Sequence, residues 1–480
     1  MLNYVKDVLD NIPADWLNLT THRLDIYEEK LAKTQFLEQF EALYQNGNAG
    51  TSALKGLPTA FDYIRLGHPL SCLLEWVVAD RNKVKPDNVI SFSSATMPVM
   101  AILRTNLLTH KNTRILYTGE LPVTFDAEVL RRVYGYQFEL ALVETPENVA
   151  AFDGSTIFLS HQKDIREVVP IQGVDFTVSV HAGFGSVLVI NGAQNEAYVS
   201  AIQHVRRRET IAMTPANCFA MLSLLVAEPV VDMAAVAVKE NTAFVLDLVR
   251  ENAGTTTQGL ISSSGLSIQY AILMGLIHYA QENHPDKAIK IVVPPNCYGG
   301  TNDQARRVAA SIDNVEIVDL PVDGDDDMVR SIDRVLTDLA AQDAVPYIIA
   351  EIPTNPRVEV PHLVKLKQVL SEERRTLSGE RAIDPVFILD QTFCPNVQFL
   401  GEGGMLSSVR TVSFSSGSKF PSGGLCTAGY CIGNENTAAV MEKIAQHLRL
   451  CDNEATDLQV EILAKQLPSM KQRIAGAYKN

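Results

Sequence analysis

The segment "SFSSGSKFPSGG", beginning at Ser413, holds a single lysine, Lys419, among serines and glycines. A lysine on a solvated face usually has charged neighbours. This one has no other charged residue anywhere in the segment, and the serines and glycines around it leave its amine room to react. Upstream lie four further groups whose residue types suit chemistry. "SSSGLS" (262–267) sets Ser264, Gly265 and Leu266 ahead of a helical stretch, where free backbone N–H groups serve either an anion or a plain helix cap. "CYGGT" (297–301) sets Tyr298 before two glycines, so its ring can stack on a flat ligand or pack in a turn. "EIPTNP" (351–356) ends an apolar run with Asn355 held between a threonine and a proline. "ILDQTF" (388–393) places Asp390 straight after an apolar run, where an acid needs a partner or serves as a helix cap.

The elements that position these residues are legible in the second half. "IKIVVPP" (289–295), "VEIVDLP" (315–321), "PYIIAEIP" (346–353), "VFILDQT" (386–392) and "TVSFSS" (411–416) are short, β-branched runs that predict strands. Helix-like stretches such as 265–282 and 326–342 lie between them. The alternation predicts an α/β fold with a largely parallel sheet covered by helices on both faces. Ligands of such sheets sit at the carboxyl ends of the strands, so the polar residues after each run are the candidates.

The first half repeats part of this pattern. "VISFSSATMPVMAIL" (89–103) resembles "LISSSGLSIQYAIL" (260–273), and "RILYTGELPVTFDAEVLRRV" (114–133) resembles "KIVVPPNCYGGTNDQARRV" (290–308). "DFTVSVHAGFGSVLVING" (175–192) resembles "VRTVSFSSGSKFPSGGLCTAGYCIG" (409–433) with a gap. Matches in the same order predict a duplicated domain, divided as 1–255 and 256–480. Gly265 pairs with Ala95 and Tyr298 with Leu121, while Lys419 and "FILDQTF" have no counterpart. The first copy reads as degenerate: it keeps the fold and has lost the site.

Bulk properties narrow the function classes. The chain has 480 residues, 46% hydrophobic and 20% charged, as in a globular protein with a sizeable core. A net charge of −15 argues against nucleic acid as a partner. The basic cluster "HVRRRE" (204–209) reads as a solvated helix face. Seven scattered cysteines predict reduced thiols, a cytoplasmic protein and no zinc ribbon. The N-terminus lacks the apolar core of a secretory signal, and no run reaches the ~18 apolar residues of a membrane span. No Gly-x-Gly-x-x-Gly or Walker loop supports a nucleotide-binding domain.

Together the groups meet the demands of pyridoxal 5′-phosphate. That cofactor needs an anion site, a ring to stack on, an acid for its pyridine nitrogen and a lysine for its aldehyde. At these residues, from about 258 to 450, the chain resembles the cysteine/methionine-metabolism (trans-sulfuration) family of pyridoxal-phosphate enzymes, such as cystathionine γ-synthase. The resemblance implies the aspartate-aminotransferase-like, fold type I, large domain. "SSGLS" is similar to the family's phosphate loop and implies phosphate contacts around Ser264, Gly265 and Leu266. "YGGT" implies Tyr298 over the cofactor ring. "EIPTNP" is similar to Glu-Ser/Thr-Pro-x-Asn-Pro and implies Asn355 near the phenolic oxygen or the substrate carboxylate. "LDQTF" resembles Val-Asp-Asn-Thr-Phe and implies Asp390 on the pyridine nitrogen and Thr392 beside the ring. "SGSKF" resembles Ser-x-Thr-Lys-Tyr and implies Lys419 on the aldehyde, with Ser416 and Ser418 on the phosphate. Lys419, Tyr298 and Asp390 are then the catalytic set.

"YIRLGHPLSCLLE" (63–75) resembles the family's arm, whose tyrosine and arginine reach a partner's cofactor phosphate. It implies that Tyr63 and Arg65 bind the cofactor, within an internal pseudo-dimer or a homo-oligomer. The match departs at "PSGGLCTAG", where the family has Gly-His-x-Asp, and at Phe420, where it has tyrosine. The chain also ends where relatives continue into a small C-terminal domain carrying the substrate-carboxylate arginine, so that domain is expected to be missing. The resemblance implies γ-replacement or elimination on a small amino acid, either a homoserine ester or a sulfur amino acid. A non-catalytic or regulatory cofactor-binding relative that lacks the substrate-carboxylate domain is the alternative.

Overall fold

The buried apolar runs of the sequence assemble into two sheets, one in each of two compact units. Unit 1 comprises Met1–Arg131, Tyr136–Ala234 and Leu450–Asp452, and unit 2 comprises Arg132–Gly135, Ala235–Arg449 and Asn453–Asn480. The structure is a computed structural model and describes residues 1–19, 31–61, 63–144, 149–161, 171–228, 237–322, 327–355 and 357–479.

In unit 2 the strands are β7 (Gly259–Ser262), β8 (Ile289–Val293), β9 (Val315–Asp319), β10 (Val345–Glu351), β11 (Val386–Asp390), β12 (Thr411–Ser416) and β13 (Gly429–Gly433). The first half of the chain supplies β1 (Val89–Phe92), β2 (Thr113–Tyr117), β3 (Glu139–Leu142), β4 (Ser155–His161), β5 (Phe176–His181) and β6 (Gly185–Ile190). The unit 2 sheet has the order β7-β13-β12-β11-β10-β8-β9. Strands β8 to β12 are parallel, and β13 is antiparallel to both of its neighbours. Every residue of β8, β10 and β11 is buried, which is why these strands read as continuous apolar runs rather than alternating ones. The register sets Glu351 opposite Asp390 and Asp390 opposite Phe414, so the polar ends of β10 and β11 meet at one edge of the sheet. The chain leaves β8 for the outer strand β9 and returns to β10 on the other side of β8. The turns after β8 and β10 therefore diverge at a topological switch point.

The helix Gly265–Asn283 follows β7 and is buried along most of its length. A Cβ on Gly275 would lie 2.6 Å from the Ile444 backbone nitrogen, so only glycine permits this approach to the helix Ala438–Leu450.

The unit 1 sheet has the order β1-β6-β5-β4-β2-β3. Its β6 is antiparallel to both neighbours and the remaining pairings are parallel. Order and direction repeat those of the unit 2 sheet, except that β4 stands alone where unit 2 has β10 and β11. Beneath this sheet lies a core that includes Phe36, Phe40, Leu70, Trp76, Val89 and Met221.

The cluster 204–209 is not a solvated face. Its helix, Tyr198–Arg208, turns Ile202, Val205 and Arg206 inward together, as a spacing of three to four residues dictates. Arg206 is fully buried and pairs with Glu75 at 2.7 Å, while Lys33 meets the same carboxylate at 2.6 Å. Arg104 and Glu209 form a second buried pair. All seven cysteines are buried, and none is in a disulfide. Among the described residues no helix is long and apolar enough to cross a membrane.

Candidate active site

The serine turn after β7 is held by its own hydroxyls. Ser264 caps the helix: its Oγ accepts from Ser267 N–H at 3.0 Å. Ser262 Oγ donates to the Ser264 carbonyl at 2.7 Å. Behind the turn, Ser263 N–H donates to the Asn453 carbonyl and Gln459 Nε2 donates to the Ser263 carbonyl, both at 2.9 Å. The amides of Gly265 and Leu266 donate no hydrogen bond among the described residues, as expected for the first positions of a helix. A Cβ on Gly265 would lie 2.9 Å from the Ser416 Cβ, so the glycine is what lets the end of β12 close on this turn.

Two buried acids end the adjacent strands β10 and β11. Glu351 accepts from Tyr298 N–H at 2.8 Å and from Asn355 N–H at 3.1 Å. This carboxylate bridges the diverging turns at the switch point. Burial, reinforced by the charge of Asp390, pushes its pKa up to about 7, although both amides pull it down. Asp390 accepts from Thr392 N–H at 2.8 Å. Burial pushes its pKa up to about 6 against the Thr392 hydrogen bonds. Neither acid has a cationic partner among the described residues, so the pair favours an incoming positive group.

Tyr298 caps the helix Gly299–Ala309 and is 42% exposed. Its ring lies over Gly300, where an added Cβ would be 2.5 Å from Tyr298 Cε1 and 2.9 Å from Leu266 Cδ1. The ring therefore stands beside the start of the Gly265 helix.

The Lys419 segment joins these parts. Ser416 N–H donates to Thr392 Oγ1 at 3.0 Å, and the hydroxyls of Ser416 and Ser418 lie 2.8 Å apart. Lys419 is exposed, and its ammonium has no hydrogen-bond or ion-pair partner among the described residues. Its carbonyl accepts from Gly424 N–H at 3.2 Å, within a turn that continues through Gly423.

Contacts thus run without a break from Gly265 to Ser416, Thr392, Asp390 and Glu351, and on to Tyr298 and Asn355. Tyr63 and Arg65 belong to unit 1. There the Arg65 guanidinium carbon lies 4.6 Å from the Tyr63 ring centroid, and the Arg65 carbonyl accepts from Ala212 N–H at 2.9 Å. His68 follows as the cap of the helix Pro69–Asn82.

Glu351, Gln459 and Arg473 matter to this geometry and were not singled out from sequence. Glu351 carried a signal, since it ends the strand that leads into "TNP". Gln459 and Arg473 sit on ordinary polar helices and carried none. No cluster of histidine, cysteine or acidic side chains among the described residues could hold a metal ion.

No family model matches the chain, and no curated protein matches it. Among solved structures it is similar to a cystathionine γ-lyase from Micromonospora echinospora, with 16% identity over 47% of this chain and 50% of that one and a TM-score of 0.34. A methionine γ-lyase from the same organism, solved without ligand, aligns with 17% identity over 48% of this chain and 51% of that one, at a TM-score of 0.35. The metB protein of Corynebacterium glutamicum aligns with 16% identity over 51% of this chain and 55% of that one, also at 0.35. The chain spans about half the length of the structures it matches.

Proposed function

We propose that unit 2 binds pyridoxal 5′-phosphate and uses it for γ-replacement or elimination on a sulfur amino acid or a homoserine ester. One observation carries the reading: the anion-binding turn, the buried acid and the Lys419 segment are tied together through Ser416 and Thr392. The residues present fit the cofactor. The Gly265 and Leu266 amides, with the hydroxyls of Ser416 and Ser418, suit a phosphate. Asp390, buried beside a second acid, suits a protonated ring nitrogen. Tyr298 offers a ring face, Asn355 an amide for an oxygen, and Lys419 an amine for the aldehyde.

When bound, the cofactor supplies an electron sink for negative charge developing at the substrate's α-carbon. Lys419 then moves protons at the α- and β-carbons as general base and acid. Asp390 keeps its partner nitrogen charged, and Tyr298 covers the reacting face. The choice of substrate rests on the family resemblance. A second reading, binding without turnover, is favoured by "PSGGLC" standing where the resemblance expects Gly-His-x-Asp.

Unit 1 enters this proposal as a degenerate copy, supported by its repeated strand order and by the strand it lacks, which corresponds to the one carrying Asp390.

The test is an absorbance scan of purified protein supplied with the cofactor, then borohydride reduction and peptide mapping. A label on the Lys419 peptide that disappears in Lys419→Ala is expected; label confined to other peptides, or none, overturns the proposal. Release of a keto acid from a sulfur amino acid separates turnover from binding alone. The same titration on Arg65→Ala tests the arm: an unchanged dissociation constant removes Tyr63 and Arg65 from the site.

A further inference from the structure

The side chain of Lys419 is exposed and unpartnered among the described residues, so its amine is placed by the backbone that carries it. That backbone is short of regular structure. Residues 417–428 link β12 to β13 through turns, with Gly423 at φ 64° and Gly424 at φ 81°. Two side chains hold the segment from outside among the described contacts. At the far end Gln459 Nε2 donates to the Thr427 carbonyl and, at 3.1 Å, to Thr427 Oγ1. Next to the lysine stands the guanidinium of Arg473, in the helix Met470–Ala477. Its Nη2 donates to the Phe420 carbonyl at 2.7 Å and to the Pro421 carbonyl at 3.2 Å, and its Nε donates to the Phe420 carbonyl at 3.2 Å. The same side chain is anchored to its own end of the chain, where Nη2 donates to the Gln466 carbonyl at 2.8 Å and Nη1 donates to Ser469 Oγ. Nη1 also lies 3.4 Å from Gln466 Oε1. Every acceptor is uncharged, and no carboxylate pairs with this arginine among the described residues. An arginine that serves only surface charge has no need of two successive carbonyls in a loop. A planar fork with five donors can span two strands of chain in this way, and a lysine cannot.

We infer that Arg473 is a positioning residue for Lys419: it fixes the carbonyls of the two residues after the lysine and so sets where the amine stands. The inference rests on the role proposed for Lys419, but its mechanical part can be read without the cofactor. Arg473→Gln keeps polarity and loses the fork, while Arg473→Lys keeps the charge. Amide hydrogen exchange of the cofactor-free protein is followed in peptides covering 417–428 and, as a remote reference, 345–351. Exchange in 417–428 should accelerate by about tenfold or more in Arg473→Gln, the scale set by losing hydrogen bonds to a charged group, with 345–351 unchanged. The charge-preserving lysine should restore little of it. Pyridoxal 5′-phosphate is then added to each variant and reduced with borohydride, and the share of label on Lys419 is measured. Arg473→Gln should lower that share, moving label to surface lysines.

Unchanged exchange in 417–428, or an undiminished Lys419 share, overturns the inference. If the unsubstituted protein carries no label on Lys419, the proposed function fails, while the exchange comparison still decides whether the clamp exists. Should exchange rise in 345–351 as well, the variant has unfolded. Ser469→Ala then replaces it, because it removes one anchor of the guanidinium. A smaller, local acceleration at 417–428 supports the clamp and its absence overturns it.

Discussion

Two carboxylic acids stand side by side at the ends of β10 and β11, both buried and both pushed up, to about 7 for Glu351 and about 6 for Asp390. A folded-state pKa above the unfolded value means the proton is bound more tightly in the folded protein. Stability is therefore fullest below the ordinary carboxylate range, near pH 4, and falls as pH rises through 6 and 7. The melting temperature of the cofactor-free protein should drop between pH 5 and pH 8. Asp390→Asn should flatten that drop by removing one acid and relieving the other. A melting temperature that climbs over the same interval would show that a cation already neutralises the pair. Gly265 gives a second prediction. In Gly265→Ala the new methyl meets Ser416, which must shift together with its bond to Thr392. The dissociation constant for pyridoxal 5′-phosphate should rise by about tenfold, with little change in melting temperature, as checked by absorbance titration.

At the scale of elements, the Gly265 helix depends on a second glycine. Gly275→Ala drives a methyl into the Ile444 backbone, which cannot swing aside as a side chain does, and should cost about 1–3 kcal/mol in urea unfolding. Elements were the most legible part of the sequence, and the reason is burial. The runs 289–295, 346–353, 386–392 and 411–416 became β8, β10, β11 and β12 because strands buried on both faces leave unbroken apolar stretches. The candidate residues of unit 2 were legible for a related reason: they follow those runs directly. Buried charges were not legible, because reading 204–209 as a solvated face left the helical periodicity out. Arg206 lies in a basic cluster, yet its spacing from Ile202 turns it into the core beside Glu75. Burial alone raises the pKa of Glu75, but Lys33, Arg206 and the Ser91 amide outweigh it and hold it at about 2. Its contribution is present above the ordinary carboxylate range and is lost as pH falls through 2. Glu75→Gln should destabilise on the order of 3–5 kcal/mol at neutral pH, because two buried cations lose their counter-charge. Arg473 was illegible because a clamp on carbonyls needs no partner residue type that a sequence could display.

Over the whole molecule, two sheets of like order raise the question of how many cofactors the proposed function would assign to one chain. The chemistry of the separate units answers it. In unit 2, the amides at the start of the Gly265 helix remain as donors, and a strand carrying Asp390 lies between β10 and β12. In unit 1, the turn after β1 meets the helix Met97–Leu108, but there Ala95 N–H donates to the Asp452 carboxylate at 2.7 Å. That acid is half-buried within unit 1 and occupies the place an external anion would take. The unit 1 sheet has β4 alone between β2 and β5, so among the described residues no strand brings an acid like Asp390 to its edge. No lysine follows β5 as Lys419 follows β12. One cofactor per chain is therefore expected. Absorbance titration of the full chain with pyridoxal 5′-phosphate should saturate at one equivalent, and Lys419→Ala should abolish the saturable step, leaving only scattered label on surface lysines. Saturation at two equivalents, or a saturable step in Lys419→Ala with its label on one unit 1 lysine, would mean that unit 1 holds a site of its own despite the carboxylate of Asp452.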